Sequence, residues 1–205
     1  MERKSHWQNI FESKASTGVS WYQPHLRASI ALITQANIPR SASILDAGAG
    51  DSTLVDDLLA SGFTDISVLD ISPAALERVK ARLGPLSKQI TWIEADITQV
   101  DLASQAYDLW HDRALFHFLT HAKERNQYVS VVQHALKPGG HLIVATFSQD
   151  GPTRCSGLDT QRYNPETLSA EFGQDLTLIC SLPESHQTPW GAEQKFNYCL
   201  FRKNS

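Results

Sequence analysis

The chain has 205 residues, of which 41% are hydrophobic and 20% are charged. These proportions are those of an ordinary globular protein, and the length suits one domain that folds without disulfides or metal ions as supports. The net charge of −4, from 18 basic and 22 acidic residues without a dense basic run, gives no indication of binding to nucleic acid or to an anionic membrane.

The cysteines are few and dispersed, at Cys155, Cys180 and Cys199. Their odd number and the lack of a C-x-x-C spacing argue against a disulfide framework and a zinc site, so we expect no bound metal. The N-terminal residues are polar, and no run of the sequence reaches the length of a membrane span. These features predict a cytoplasmic protein.

The first two dozen residues are rich in aromatic side chains, among them Trp7, Phe11, Trp21 and Tyr22. We interpret residues 1–40 as a helical lid over the strand ends, with Trp7, Trp21 and Tyr22 as candidates for substrate contact. The alternative is that these aromatic side chains fill ordinary core.

Beyond this segment, short β-branched runs alternate with stretches of helical period, which is typical of βαβ units on a parallel sheet. Strands are predicted at residues 43–47, 66–70, 90–94, 107–110 and 141–147, and helices at residues 26–36, 52–61, 73–83, 123–136 and 166–172. Two final strand-like runs, at 175–182 and 194–201, are joined by a short polar turn and predict an antiparallel hairpin. We therefore predict a single domain over residues 1–205 with a doubly wound, Rossmann-like α/β core at 41–205.

A glycine-rich turn follows the first predicted strand, at Gly48 and Gly50. In an open α/β sheet this turn usually contacts the ligand, and glycine lets a ligand approach the main chain closely. Asp70 ends the next strand, where a carboxylate can accept hydrogen bonds from both hydroxyls of a ribose. The sequence thus predicts a ligand with an unphosphorylated ribose.

A nicotinamide dinucleotide would satisfy the same two observations. Its fingerprint, however, requires a third glycine at the position of Thr53. Asp46 and Asp51 also repel a pyrophosphate and suit a cationic ligand better.

Residues 94–97 end the third strand with Asp96 followed by Ile97, a carboxylate and an apolar side chain that suit the amine and the ring face of adenine. Residues 44–50, 68–72 and 94–97 resemble, in order and spacing, the first three motifs of the class I S-adenosylmethionine-dependent methyltransferases. The resemblance implies a seven-stranded sheet with a final antiparallel hairpin and S-adenosylmethionine as cofactor. It places the methionine part against the glycine turn, the ribose on Asp70 and adenine on Asp96. The implied cofactor residues are Asp46, Gly48, Ala49, Gly50, Asp70, Ile71, Asp96, Ile97, Trp110 and His111.

The end of the fourth strand offers candidates for catalysis, His111 with Asp112 and Arg113. A base matters only when the methyl acceptor arrives protonated, and histidine has a suitable pKa. The alternative is that His111 bonds a backbone carbonyl while Asp112 and Arg113 form a structural ion pair. A metal site at His111, His117 and His121 has no recognised ligand spacing.

The acceptor side is expected around Phe116, His117 and the polar loop at 147–157. Arg154 could hold an anionic acceptor and Cys155 could touch it, although a lone cysteine is more commonly a small buried hydrophobe. Likewise, His117 could instead be a satisfied, half-buried histidine. Residues 110–119 and 125–128 resemble the corresponding region of thiopurine and plant thiol methyltransferases, which act on small soft nucleophiles.

The sequence therefore predicts a methyltransferase for a small-molecule acceptor, such as a thiol or related chalcogen compound. Two alternatives remain open, a protein lysine methyltransferase and a non-catalytic protein that binds S-adenosylmethionine. The sequence does not indicate an oligomeric state.

Overall fold

The computed structural model describes residues 3–205, so the first two residues of the expected 1–40 segment lie outside the described residues. Seven strands form one sheet in the order β3-β2-β1-β4-β5-β9-β8, and two shorter strands, β6 and β7, form a separate antiparallel pair. The strands are β1 (Ser43–Ala47), β2 (Asp65–Asp70), β3 (Ile90–Glu94), β4 (Tyr107–Arg113), β5 (Leu136–Phe147), β6 (Arg154–Cys155), β7 (Leu158–Asp159), β8 (Leu176–Gln187) and β9 (Glu193–Lys203).

The first five strands pair in parallel, whereas β9 runs antiparallel to both β5 and β8. This arrangement confirms the predicted doubly wound α/β fold with a C-terminal antiparallel hairpin. From β1 the chain moves to one side through β2 and β3, and then returns to the other side at β4. A crevice for ligands forms where the strand order reverses in this way, at the carboxyl ends of β1 and its neighbours.

Six α-helices surround the sheet: α1 (Arg3–Ser13), α2 (Arg27–Ala36), α3 (Leu54–Ala60), α4 (Pro73–Leu83), α5 (Ala122–Ala135) and α6 (Pro165–Phe172). The core divides into two clusters, because α2, α3 and α4 pack on one face of the sheet and α5 and α6 on the other. None of the helices described within residues 3–205 combines the length and apolar character needed to cross a bilayer.

Local sequence explains how the helices next to the site begin. Pro73 opens α4 at a position where its missing N–H costs nothing, and the Ser72 hydroxyl accepts a hydrogen bond from the Ala75 N–H. Gly84, with φ of +56°, follows the last residue of α4. The start of this helix is therefore fixed beside the end of β2, where Asp70 lies.

Three strand boundaries differ from the sequence prediction by three or more residues, and one of them is the end of β8, which lies at Gln187 rather than at residue 182. Strand β5 begins at Leu136 rather than at residue 141, and the pairing with β4 shifts register between Tyr107 and Leu109. The predicted turn at 137–140 is therefore an irregular part of the strand itself. Strand β4 continues to Arg113, so that His111 and Arg113 belong to a strand rather than to a loop.

Candidate active site

A cavity lies at the carboxyl ends of the parallel strands, where the reversal of strand order predicts a ligand site. Helix α1 and the segment before α2 contribute to its lining. The lining includes every expected cofactor residue except Trp110, namely Asp46, Gly48, Ala49, Gly50, Asp70, Ile71, Asp96, Ile97 and His111. It also includes Trp7, Trp21, His117 and Cys155 from the expected substrate residues.

The turn after β1 requires glycine at two positions. Gly48 and Gly50 have φ of +64° and +56°, a backbone region that is unfavourable for other residues. A Cβ built on Gly48 would lie 2.2 Å from Cδ1 of Leu115, and one built on Gly50 would lie 2.9 Å from Cζ of Phe11. The turn is therefore closely packed by the loop after β4 and by α1.

The Asp70 carboxylate is fixed in place by two backbone hydrogen bonds. One carboxylate oxygen accepts a hydrogen bond from the Gly50 N–H at 2.7 Å, and the other accepts one from the Ser72 N–H at 2.8 Å. Burial raises the pKa of Asp70 from 3.8 to about 6, although these hydrogen bonds oppose the rise. The carboxylate is thus mostly ionised at neutral pH and retains lone pairs for hydroxyl groups.

Asp96 is also fixed by its neighbours, since Oδ1 accepts hydrogen bonds from the Thr98 N–H at 2.9 Å and the Thr98 hydroxyl at 2.7 Å. The Arg3 guanidinium lies 3.3 Å from Oδ2 and also forms an ion pair with Glu124. Arg3 therefore links α1 to the loop after β3. The sequence analysis missed Arg3, because an arginine near the N-terminus carries no signal of its tertiary partner.

Helix α1 covers the cavity with aromatic side chains. The Trp7 ring centroid lies 6.3 Å from that of Phe11, 6.1 Å from that of Trp21 and 5.0 Å from that of Phe118. The Gln8 side-chain carbonyl accepts hydrogen bonds from the Ser72 hydroxyl and the Ala74 N–H. Apolar packing and polar anchors together hold the helix over the strand ends.

These residues fit S-adenosylmethionine. Asp70 presents an anchored carboxylate for the ribose, and the apolar side chains of Ile71 and Ile97 line the cavity together with Asp96. Asp46 adds a negative charge near the glycine turn, which suits a ligand with a cationic amino-acid tail. One cavity thus contains the residues that the motifs assign to the ribose, adenine and methionine parts of the cofactor.

His111 is fully buried and has both ring nitrogens engaged. Its Nδ1 lies 2.7 Å from Oδ1 of Asp46, which is its direct partner in the β1–β4 pairing, and its Nε2 lies 2.8 Å from the Ser29 hydroxyl. The side chain is therefore tied to the sheet and to α2. In this arrangement neither nitrogen is free to take a proton from an acceptor.

Asp112 points to the opposite face of the sheet from His111, because alternate residues of a strand face opposite sides. Its carboxylate accepts hydrogen bonds from the Leu115 and Phe116 N–H groups and from the Tyr128 hydroxyl at 2.7 Å. Burial raises the pKa of Asp112 to about 6. The geometry thus places this predicted catalytic residue outside the cavity, where it fixes the loop after β4.

Arg113 lies on the same face as His111 and reaches the cavity. Its Nε donates to the Tyr198 hydroxyl at 2.7 Å, and Nη1 donates to the Trp21 carbonyl at 3.0 Å. The guanidinium carbon lies 5.1 Å from the Phe196 ring centroid. Among residues 3–205, Arg113 has no carboxylate within 4.0 Å, so the alternative of an Asp112–Arg113 ion pair does not fit this geometry.

His117 is buried in the cavity wall between aromatic rings. The Phe147 N–H donates to His117 Nδ1 at 3.2 Å, and the rings of His117 and Phe147 are 4.5 Å apart. Burial and the nearby Arg113 lower the pKa of His117 to about 3, so the imidazole is neutral at physiological pH. With Nδ1 accepting, the proton of the neutral ring lies on Nε2.

The remaining substrate candidates are divided between the cavity and other places. Cys155 lines the cavity, and burial raises the pKa of its thiol, which keeps it protonated. Arg154 is exposed and pairs with Asp159 in the neighbouring strand, away from the cavity. Tyr22 also lies outside the cavity lining.

Trp110 and Phe116 are fully buried in the core on the α5 and α6 side. Trp110 donates a hydrogen bond to the Tyr128 hydroxyl, and Phe116 packs against the aromatic rings of Tyr163 and Phe172. Their positions beside motif residues made them candidates, but strand alternation and the turn after β4 direct them away from the cavity.

Phe196 and Gln194 line the cavity but carried no signal in the sequence, whereas Phe147 begins the loop expected on the acceptor side. Phe147 and Phe196 are direct partners in the β5–β9 pairing, and Gln194 follows on the same face of β9. The hairpin brings them to the end of β4, and only the sheet order reveals this proximity. Within residues 3–205, no group of three His, Cys, Asp or Glu side chains is arranged to hold a metal ion.

Comparison with known proteins agrees with this site. Residues 44–140 match a protein-family model described as a methyltransferase domain. The chain is 21% identical over 150 residues to the mouse eEF1A lysine and N-terminal methyltransferase, covering 70% of this chain but only 21% of that protein. It is 30% identical over 146 residues to the malonyl-[acyl-carrier protein] O-methyltransferase of Anoxybacillus flavithermus, covering 70% of this chain and 53% of the relative.

Among solved structures, the N-methyltransferase NodS from Bradyrhizobium japonicum, in complex with S-adenosyl-L-homocysteine, superposes with a TM-score of 0.72. The match covers 98% of this chain and 100% of NodS at 18% sequence identity, which establishes a shared fold. The matched domain, the shared fold and the motif residues gathered around the cavity together support the predicted class I S-adenosylmethionine-dependent methyltransferase.

Proposed function

We propose that this enzyme methylates a small thiol or related chalcogen compound inside the cavity beneath α1. The observation that carries the proposal is that neither histidine of the cavity offers a free basic nitrogen. Both nitrogens of His111 are engaged by Asp46 and Ser29, and Nε2 of His117 carries the proton.

Without a free imidazole base, the enzyme is expected to methylate only acceptor atoms that lose their proton without help from the protein. A lysine-type amine has a pKa of about 10.4 and needs a base, whereas a thiol with a pKa near about 8.5 supplies a fraction of thiolate at neutral pH. The thiolate is also strongly nucleophilic by itself. An acceptor that loses its proton to solvent before binding therefore fits these residues best.

Held by Asp70 and Asp96, S-adenosylmethionine would supply an electrophilic methyl group, and its sulfur would keep the electron pair of the bond that breaks as the acceptor's bond to the methyl carbon forms. The protein's own contribution is then positioning and exclusion of water. Trp7, Phe11 and Trp21 cover the cavity, and Asp70 with Asp96 hold the nucleoside side. His111 fixes β1, β4 and α2 relative to one another.

The test uses acceptors that differ only in the nucleophilic atom: benzyl mercaptan, benzylamine and benzyl alcohol, with heat-inactivated protein as the control. With S-adenosylmethionine kept saturating at every pH, we expect methylation of the thiol alone, with a rate that rises with pH up to the pKa of the thiol and shows no step near pH 6.5. Faster methylation of the amine, or no turnover of any thiol, would contradict the proposal.

A protein lysine acceptor is the second candidate, favoured by the similarity to the mouse eEF1A methyltransferase domain. The cover provided by α1 and the positive charge of Arg113 argue against it, since both disfavour entry of an ammonium group. Incubation of cell lysate with radiolabelled S-adenosylmethionine separates the two, because labelled protein bands are expected only for a protein acceptor. Binding of S-adenosylhomocysteine without any turnover would support the third candidate, a non-catalytic cofactor-binding protein.

A further inference from the structure

Three polar side chains with unused hydrogen-bonding atoms line the cavity near the ends of β4, β5 and β9. They are Nη2 of Arg113, Nε2 of His117 and Oε1 of Gln194, which are buried and have no hydrogen-bond partner among residues 3–205. Buried polar atoms are nearly always satisfied in folded proteins, and each unsatisfied one carries a penalty. Two of these atoms, Nη2 of Arg113 and Nε2 of His117, are donors, and together they indicate a ligand that accepts hydrogen bonds.

The charge of this wall defines the ligand further. Arg113 brings a positive charge that no carboxylate of residues 3–205 neutralises within 4.0 Å. Glu184 is linked to Arg113 through the Tyr198 hydroxyl, which accepts a hydrogen bond from Nε of the guanidinium and not from Nη2. A partly buried arginine without a counter-ion is most readily compensated by an anionic ligand, and its planar fork suits a carboxylate.

His117 contributes a second donor rather than a base. Its Nδ1 is occupied by the Phe147 N–H, which leaves Nε2–H as the atom available to a ligand. The Phe196 ring lies within reach of both donors, at 5.1 Å from the Arg113 guanidinium carbon and 6.4 Å from the His117 ring. The wall thus combines two donors with an aromatic surface.

We propose that Arg113 and His117 form a subsite for a carboxylate carried by the methyl acceptor. This inference rests on the proposed function, because it specifies the acceptor as a small thiol acid. The carboxylate accepts hydrogen bonds from Nη2 of Arg113 and from Nε2–H of His117, and the aromatic surface contacts the apolar part of the acceptor. The Gln194 oxygen can only accept hydrogen bonds, so it does not bond to the carboxylate. The exposed Arg154, which pairs with Asp159, has no part in the subsite.

The test measures binding without turnover. Protein saturated with S-adenosylhomocysteine is titrated in a calorimeter with 3-mercaptopropionate and with 3-mercapto-1-propanol, which differ only in the charged group. We expect the acid to bind at least about tenfold more tightly, as one charge-assisted hydrogen bond provides. Equal affinities would overturn the subsite.

The variants assign the preference to individual residues. R113Q is expected to abolish the preference for the acid, while R162Q, a matched change at an exposed arginine between β7 and α6, leaves it unchanged. H117N keeps an acceptor near the Nδ1 position but removes the Nε2–H donor, so it should weaken binding of the acid, whereas H117Q, which retains a donor, should weaken it less. If circular dichroism and thermal unfolding show that R113Q does not fold, the comparison of H117N with H117Q tests the subsite instead, and equal binding of the acid by both variants would overturn it.

Two further outcomes separate the possible failures. If R113Q weakens binding of S-adenosylhomocysteine itself, the subsite serves the cofactor's own carboxylate and the proposal is overturned. Tight binding of 3-mercaptopropionate without its methylation would retain the subsite and remove the proposed thiol activity. Methylation of both thiols with equal efficiency would retain the thiol activity and remove the subsite.

Discussion

Replacing Asp70 with asparagine is expected to separate cofactor binding from stability. The Asp70 side chain is buried, and its oxygens accept the Gly50 and Ser72 N–H groups at 2.7 and 2.8 Å. Asparagine has almost the same shape but offers only one acceptor oxygen and carries no charge. The loss of the buried charge stabilises the folded protein, and the loss of one acceptor oxygen destabilises it.

The change in stability is small because its two main contributions have similar size. Burial raises the pKa of Asp70 from 3.8 to about 6, which corresponds to about 3 kcal/mol of destabilisation by the ionised group at neutral pH. Asparagine removes this penalty, but one backbone N–H then faces the amide group without an acceptor, at a cost of about 1–3 kcal/mol. We therefore expect the free energy of unfolding to change by less than about 2 kcal/mol.

Cofactor binding has no such compensation. The ionised carboxylate is the acceptor expected for the two ribose hydroxyls, and hydrogen bonds to a charged group each contribute about 1.5–3 kcal/mol. Their loss should weaken binding of S-adenosylhomocysteine by about 100-fold or more. D70N should consequently fold as well as the native chain while losing its cofactor.

The pH dependence gives an independent check of the sign. Because the folded pKa is raised, the penalty is fully present above pH 6 and is lost as the pH falls towards 3.8. The stability of D70N relative to the native chain should therefore decline between pH 7.5 and pH 5. Over the same range, native S-adenosylhomocysteine affinity should fall as Asp70 takes up a proton.

Calorimetric titration with S-adenosylhomocysteine and urea unfolding at both pH values measure these quantities. D70E is the control, since it keeps the charge but changes the reach of the carboxylate. A D70N variant that unfolds far more easily yet binds within threefold of the native protein would refute the reasoning.

Three further changes test the packing around the site by urea unfolding. G48A should destabilise the fold by more than about 2 kcal/mol, because φ of Gly48 is +64° and the new Cβ would lie 2.2 Å from Leu115. Adding L115A should relieve part of this cost, and full additivity of the two changes in unfolding free energy would contradict the clash. Y128F should cost about 1–3 kcal/mol by leaving Asp112 without its hydroxyl partner, and a neutral result would show that the bond contributes little. F11A should cost about 3–5 kcal/mol and weaken S-adenosylhomocysteine binding, whereas unchanged affinity would show that α1 does not cover the cofactor.

The cofactor side of the site was predictable because its signals are local. A glycine turn after β1 and acids at the ends of β2 and β3 are each visible in a few consecutive residues, such as Gly48, Gly50, Asp70 and Asp96. Parallel strands place their carboxyl ends at one edge of the sheet, so these local signals necessarily converge. Nothing beyond the βαβ alternation was needed to bring them together.

The residues on the acceptor side could be predicted only in part, because their positions depend on where β4 ends and on which face of the sheet each side chain lies. His111, Asp112 and Arg113 are consecutive, but β4 extends through all three and directs Asp112 to the opposite face. Had the predicted strand been continued with period-two alternation to Arg113, and not ended at residue 110, Asp112 would have been separated from the other two.

What the sequence determined by itself was the fold class, the glycine turn and the cofactor acids, because hydrophobic period and turn chemistry act between near neighbours. Tertiary structure alone decided which arginine reaches the cavity, since Arg113 gains its surroundings from β9 and the Trp21 segment whereas Arg154 pairs within its own hairpin. The physical reason is that the hydrogen-bond and charge partners of Arg113 come from segments far away in the chain, and these segments lie next to it only in the folded sheet.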